Sequence, residues 1–267
     1  MSDNLAETNR ARWNVLVEHN VDFSVPMLDL TPESARAFLD PYGVMGDVTG
    51  KEVLCLASGG GQQSVAFALL GAKVTIFDLS DKQLERDRLA AAHYGVEIRT
   101  VQGDMRYLDA FADDSFDLVY HAYSVNFVPS VVPVFDEIAR VIRPGSLYRI
   151  EWYNPFVQMI DPERDWTGNG YLLRHEYVDG RETTNEFSTW TVKDNEGNVR
   201  KVDSPREFVH TLSTVINNLV AKGFVILRAG EYLGDDPAAE PGTWFHFTRI
   251  AAPYLTLWAR YLPSAFA

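Results

Sequence analysis

The chain has a single cysteine, Cys55, in 267 residues, so no internal disulfide can form. Its place inside an apolar run marks it as a small core residue and not a reactive thiol. No apolar run approaches the roughly 20 residues of a membrane span, and the stretch from Met1 to Asn14 is polar, so a cytoplasmic protein away from membranes is expected. Basic residues are also scarce: 24 Lys and Arg stand against 37 Asp and Glu, for a formal charge of −13, and no basic cluster exceeds the pair Arg200-Lys201. Binding duplex nucleic acid rests on neutralising several phosphates with clustered cations, so nucleic acid is not an expected partner. The six histidines, His19, His93, His121, His175, His210 and His246, form no close pair at helical spacing and no HExxH, so no metal is expected. There is no G-x-S-x-G, which argues against a serine hydrolase, and no internal repeat.

What is present is enough apolar residue for a full-sized core, and one α/β domain with a lid accounts for the length. The organising stretch runs from Glu52 to Asp78. An apolar run (Val53 to Ala57) leads into Ser58-Gly59-Gly60-Gly61, then a helical segment from Gln62 to Leu70, then a second apolar run ending in an acid. Strand, glycine turn, helix and acid-tipped strand is how a parallel sheet binds an adenosine-containing cofactor. Upstream, residues 1–25 read as helical, with Trp13, Leu16 and Val17 near one face, and Thr31-Pro32-Glu33 opens a second helix to about Leu39.

Downstream, Ser80 to Gln83 has the form of a capping box for a helix to about Tyr94, which Gly95 stops. Strands are expected at Val96 to Val101, Phe116 to His121 and Ser146 to Glu151, with a helix from about Val131 to Ile142 stopped by Pro144-Gly145. Strands alternating with helices argue for a doubly wound parallel sheet. From Trp152 to Asp203 the pattern breaks into an aromatic-rich insertion. Alternation over Tyr171 to Val178 and Thr183 to Val192 suggests an antiparallel excursion turning at Asp179-Gly180. An insertion after the fifth strand falls on the ligand edge, which makes it a candidate lid. Ser204-Pro205-Arg206-Glu207 reads as a capping box opening a helix to Lys222-Gly223. A strand follows at Phe224 to Ala229, then a loop carrying Trp244 and His246, then a last strand from Tyr254 to Tyr261. The expected organisation is a helical cap (1–45), a cofactor-binding core (46–151), a lid insertion (152–203) and the rest of the core sheet (204–267).

Gly59, Gly61 and Ser64 approach the dinucleotide pattern G-x-G-x-x-G/A but miss its third small apolar position. Asp104, after a glycine at the end of the third strand, supplies a second acid on the ligand edge, which a mononucleoside lying across the strand tips can use. Here the chain resembles the class I S-adenosylmethionine-dependent methyltransferases, especially the small-molecule branch similar to ubiquinone and menaquinone biosynthesis enzymes. The resemblance rests on Val53 to Gly61, Val74 to Ser80, Gly103-Asp104-Met105, Phe116 to His121 and Ile138 to Ser146, in that order, and covers about residues 50–151. It implies an α/β, Rossmann-like, mostly parallel seven-stranded sheet with an antiparallel C-terminal strand, and S-adenosylmethionine as cofactor. It also implies that Asp78 takes the ribose hydroxyls, Asp104 the adenine amino group and the Met105 N–H the ring. The implied cofactor set is Ser58, Gly59, Gly60, Gly61, Gln63, Asp78, Leu79, Gln83, Gly103, Asp104, Met105 and His121. The chain departs from the family at Cys55, usually an acid, and at Ala57, usually a glycine, with Gln62 and Gln63 as candidate substitutes.

A sulfonium methyl is already electrophilic, so transfer needs mainly an aligned acceptor shielded from water, and a base only where the acceptor must lose a proton. After the fourth strand, His121 is the candidate base, and Tyr123 and Asn126 are candidates to orient the reactants. Candidate acceptor-site residues are Trp13, Trp152, Tyr153, Asn154, Tyr171, His175, Trp244 and His246, whose rings suit a planar aromatic or a cationic small molecule. The competing readings are an NAD(P)-dependent oxidoreductase and a domain that binds S-adenosylmethionine without catalysis.

Overall fold

A computed structural model of the chain describes residues 4–183, 189–193 and 198–263. Its centre is a seven-stranded sheet in the order β3-β2-β1-β4-β5-β9-β8. The strands are β1 (Glu52–Leu56), β2 (Lys73–Asp78), β3 (Ile98–Gln102), β4 (Phe116–His121), β5 (Ile142–Tyr153), β8 (Phe224–Glu231) and β9 (Tyr254–Tyr261). All neighbours from β3 to β5 pair in parallel, and β9 runs antiparallel to both β5 and β8. Val53, Leu54, Cys55 and Leu56 are wholly buried, as a central parallel strand with helices on both faces requires. Period-two alternation sends Leu54, Leu56, Val119, Tyr148 and Ile150 into one core and Val53, Cys55, Leu118, Tyr120 and Trp258 into the other.

The helices are α1 (Asn4–Glu18), α2 (Pro32–Leu39), α3 (Gln63–Leu69), α4 (Asp81–Tyr94), α5 (Val132–Val141), α6 (Pro162–Asp165), α7 (Leu212–Ala221) and α8 (Trp244–Ile250). Thr31 caps α2 in a reciprocal box with Ser34, and Ser80 caps α4 by accepting the Gln83 N–H, while Gly95 ends α4 in the left-handed conformation. No described helix is long and apolar enough to cross a membrane.

Several elements depart from expectation. The N-terminal helix stops at Glu18, and a short 3-10 turn at Asp22–Ser24 follows. Pro144-Gly145 stops no helix: α5 passes straight into β5 at Ile142, and the pair lies inside β5, where the pairing with β4 slips between Phe116 and Leu118. No helix starts at Ser204, because distant side chains claim that backbone. Asn9 of α1 accepts the Arg206 N–H (2.8 Å) and donates to its carbonyl (3.1 Å), and the Phe208 N–H donates to the Asn126 carbonyl (2.7 Å). The helix begins at Leu212, capped by Thr211. Trp244 and His246 sit on α8, capped by Thr243, and not on a loop.

In the insertion, the antiparallel pair is β6 (Thr189–Lys193) with β7 (Val199–Asp203), a separate two-stranded sheet. Tyr171 to Val178 carries one bridge, Trp166 to Tyr171, and no strand, and residues 184–188 of the expected excursion lie outside the described residues. Helix α1 packs on α4 and β7 and so lies over the carboxyl ends of the parallel strands.

Candidate active site

The strand order reverses at β1 and β4, and a crevice opens there beyond the strand tips. After β1, Ala57 turns the chain at φ +46°, in the left-handed region that its family position usually leaves to glycine. Two carboxylates then hold the turn, Asp78 half-buried and Asp87 buried. Asp78, at the tip of β2, accepts the Gly59 N–H (2.9 Å) and the Ser80 N–H (2.8 Å). Asp87, on α4, accepts the Gly60 N–H (3.0 Å), the Gly61 N–H (3.1 Å) and the Ser64 hydroxyl. A Cβ on Gly59 would lie 2.6 Å from the Gln83 Cβ and 3.1 Å from the Asp78 carboxyl, so the turn runs tight against these side chains.

The crevice is a cavity of about 540 Å³, within the usual range for small ligands. It is lined by Ser58, Gly59, Gln63, Asp78, Leu79, Gln83, Gly103, Asp104 and Met105, so the structure brings most of the expected cofactor residues to one wall. Gly60 and Gly61 stand behind that wall, their N–H groups turned to Asp87. The Ser58 Oγ and Gln83 Oε1 are buried with no hydrogen-bond partner among the described residues, an arrangement that suits a polar ligand. Asp104 is gripped by Arg106, whose Nε and Nη2 lie 3.0 and 2.5 Å from its oxygens. Burial raises Asp78 to about 6 and Asp87 to about 7, with the nearby Asp78 charge adding to the Asp87 rise.

His121 is a correction. It is the last residue of β4, on the face opposite Tyr120, and does not line the crevice cavity. It is wholly buried, its Nδ1 lies 3.0 Å from the Tyr148 hydroxyl, and burial lowers it to about 3. A histidine enclosed in the core, where burial disfavours its protonated form and which does not line the cavity, is not placed to take a proton there. Asn126 is structural as well: it donates to the Phe208 carbonyl (2.9 Å) and accepts the Tyr153 N–H (3.0 Å). Tyr123 does face the cavity, and its hydroxyl donates to Glu207 (3.0 Å).

A second cavity of about 700 Å³ shares Trp13, Phe23, Tyr123, Phe127 and Tyr254 with the first. Of the expected acceptor residues, Trp13, Tyr153 and Trp244 line it. The others do not. Trp152 is in the core, 1% exposed, and Asn154 holds the chain by donating to the Ala252 carbonyl (2.9 Å). Tyr171 and His246 pair with each other at 2.7 Å beside Trp166, and His175 is exposed on the insertion.

Four residues escaped the sequence reading. Asp87 had a signal: Gln83, Leu84, Asp87, Ala90 and Ala91 form the buried stripe of α4, so its acid points inward. Arg149 and Glu151, paired on β5, line the first cavity, with the Arg149 guanidinium 4.6 Å over the Tyr120 ring. Glu207 had no signal, because only the absence of the expected helix turns it inward. Of the candidate substitutes for the missing acid at position 55, Gln62 and Gln63 both line the cavity, and the Gln62 amide donates to the Asp22 and Val25 carbonyls. Asp87 holds the glycine turn from behind.

Fold, switch-point crevice and acid-tipped β2 define a doubly wound α/β protein that binds an adenosine-type cofactor. A methyltransferase domain model matches residues 54–150. The Bacillus subtilis protein described as uncharacterized methyltransferase YbaJ is 35% identical over 236 residues, covering 84% of this chain and 85% of that one. An S-adenosylmethionine-dependent methyltransferase from Mesorhizobium loti superposes with a TM-score of 0.61 at 24% identity, over 88% of this chain and 100% of that one. Geranyl diphosphate C-methyltransferase from Streptomyces coelicolor, solved with Mg2+, geranyl diphosphate and S-adenosyl-L-homocysteine, superposes at 0.60 and 12% identity, over 98% and 99%. The chain belongs to the class I S-adenosylmethionine-dependent methyltransferases, and S-adenosylmethionine is its cofactor. Among the described residues, no group of three or more His, Cys, Asp and Glu side chains could hold a metal ion.

Proposed function

We propose that the chain methylates a small molecule, with the cofactor in the first cavity and the acceptor in the second. The observation that carries this reading is the wall the two cavities share at Tyr123 and Tyr254, immediately beyond the tip of β4. When bound, the cofactor supplies an electrophilic methyl group. Asp78 receives the ribose hydroxyls and Asp104, steadied by Arg106, the adenine amino group, with Met105 beside the ring. The tight Gly59 turn, Ser58, Gln63, Leu79, Gln83 and Gly103 complete the cofactor's walls, and Asp87 keeps the turn in shape from behind.

Helix α1 and the insertion carrying Trp190 act together as a cap that excludes water. Trp13 meets Trp190 at 6.3 Å and Phe127 at 5.3 Å, and Phe23 meets Trp190 at 5.6 Å, which closes the aromatic roof from both sides. Such walls suit a planar or a cationic acceptor. Arg12 and Arg206 on the second cavity are engaged by Asp203 and Glu182, which does not favour an anionic polymer.

Calorimetry with S-adenosyl-L-homocysteine tests the reading. Micromolar-scale binding is expected, weakened about a hundredfold or more in Asp78→Ala, since hydrogen bonds to a charged group contribute about 1.5–3 kcal/mol each. Equal affinity in the two proteins would remove the assigned orientation of the ribose.

A further inference from the structure

Glu207 is the polar centre of the second cavity. It lies on the irregular segment between β7 and α7 that Asn9 and Asn126 hold open. Enclosed by protein, its carboxyl still faces the cavity, where the Tyr123 hydroxyl donates to it and Gln158 hydrogen-bonds it. Tyr123, Tyr153 and Tyr254 form a closed triangle of rings beside it, with centroids 6.2, 5.4 and 5.2 Å apart. Trp244 adjoins Tyr254 at 6.4 Å, and Trp13, Phe23 and Trp190 complete the far wall.

The charges around this box are one-sided. Asp161, Glu163, Glu182 and Glu207 line the cavity, and the bases there are Arg12 and Arg206. Arg206 grips Glu182 at 2.6 Å, and Arg12 donates to the Ser204 carbonyl at 2.9 Å and pairs with Asp203. Among the described residues no cationic side chain pairs with Glu207, and none of them gives this carboxyl a counter-charge in its aromatic box. A buried carboxylate is expensive unless something neutralises it, and aromatic faces attract cations.

We propose that the second cavity binds an amine, its ammonium group set against the cluster of Tyr123, Tyr153 and Tyr254 and neutralised by Glu207, which is also the acceptor of the amine's proton. This deepens the methyltransferase reading and rests on it. The transfer balances simply. The ammonium gives a proton to the Glu207 carboxylate, and the freed nitrogen lone pair forms the N–C bond as the S–C bond breaks. The S–C electron pair stays on sulfur, yielding neutral S-adenosyl-L-homocysteine and a methylated ammonium. Burial holds the Glu207 carboxyl up at about 7, within reach of this exchange at neutral pH, and the hydrogen bonds from Tyr123 and Gln158 oppose that rise.

The test uses the whole protein and calorimetry in two stages. S-adenosyl-L-homocysteine is bound first. Benzylamine, 2-phenylethylamine and tryptamine are then titrated against benzyl alcohol, 2-phenylethanol and tryptophol. At least one amine is expected to bind about tenfold or more tighter than its alcohol, the size of a charge-assisted contact within aromatic walls. Glu207→Gln, which keeps the shape and an acceptor for Tyr123, should erase that preference while leaving S-adenosyl-L-homocysteine affinity within about threefold.

The wild-type protein gives an independent reading. Amine affinity should rise from pH 6 to 8 as Glu207 ionises, while alcohol affinity stays flat. The tyrosines facing it, Tyr123, Tyr153 and Tyr254, have their ionisation pushed upward by burial and stay neutral in that range, and Glu182 is held ionised by Arg206. Alcohols binding as well as every amine, or a preference that survives Glu207→Gln, would overturn the proposal with the cofactor site intact. Failure of S-adenosyl-L-homocysteine itself to bind would sink the methyltransferase reading and take the amine with it.

Discussion

Asp87→Asn is the sharpest perturbation of the cofactor turn, because it changes one oxygen to nitrogen inside a site with three donors. The Gly60 and Gly61 N–H groups and the Ser64 hydroxyl all point at this side chain. A carboxamide offers one oxygen, so one buried N–H loses its acceptor, at a cost of about 1–3 kcal/mol. Ionisation acts in the opposite direction. Burial raises Asp87 from 3.8 to about 7, so the folded protein holds a proton that the unfolded chain releases between those values. Stability from this group is therefore fully present below pH 3.8 and is lost as pH rises to about 7. The loss is about 1.4 kcal/mol per pH unit, on the order of 4 kcal/mol across the window. Asparagine has no such dependence.

The two effects nearly cancel around pH 6, and by pH 8.5 the variant should be the more stable protein, by about 1–3 kcal/mol. The same change should weaken S-adenosyl-L-homocysteine binding about tenfold, since the turn loses the hold that shapes it. Urea unfolding at pH 6 and 8.5 measures the first effect, and calorimetry measures the second. A variant less stable than the parent by the same amount at both pH values would refute the argument that Asp87 carries a proton into the fold. Unchanged affinity would refute its role in the turn.

Two further outcomes follow from geometry already described. His121→Gln should cost about 1–3 kcal/mol of stability through its lost Tyr148 contact, yet leave S-adenosyl-L-homocysteine affinity within about threefold; a hundredfold loss would restore His121 to the site. Gly103→Ala would place a Cβ 2.3 Å from the Phe77 Cζ, so it should destabilise by about 1–3 kcal/mol in thermal or urea unfolding, and a neutral result would show that the Phe77 ring can swing aside.

The strands were legible where an apolar run is bounded by turn residues and its hydrogen bonds stay between neighbouring strands. Phe116 to His121 and Tyr254 to Tyr261 occur residue for residue as the sequence suggests. The turn and its first acid were legible because strand, glycine and acid are adjacent in sequence. What failed was decided by partners far along the chain. The capping pattern at Ser204 is sound locally, but Asn9, 197 positions away, binds the Arg206 backbone, and a helix there would break that pair. His121 failed for a subtler reason. Its place at a strand tip is readable, but the face it takes depends on the phase of β4 against β5, whose Tyr148 receives it. Asp87 could have been found by asking which acid on α4 shares the stripe of Leu84 and Ala91.

Asp78, Asp87 and Glu207 share one physical condition. Each is a carboxyl pushed up by burial, hydrogen-bonded to N–H or O–H groups and, among the described residues, matched to no cation. Fold stability alone does not select such a trio, since each loses stability as pH rises through its own folded value and an apolar or amide side chain would not. Asp78 and Asp87 hold the glycine turn, and Glu207 lines the second cavity beside the tyrosines that the two cavities share. With the roles proposed above, a ligand in the first cavity would give Asp78 its hydroxyl donors and an amine in the second would give Glu207 its positive charge.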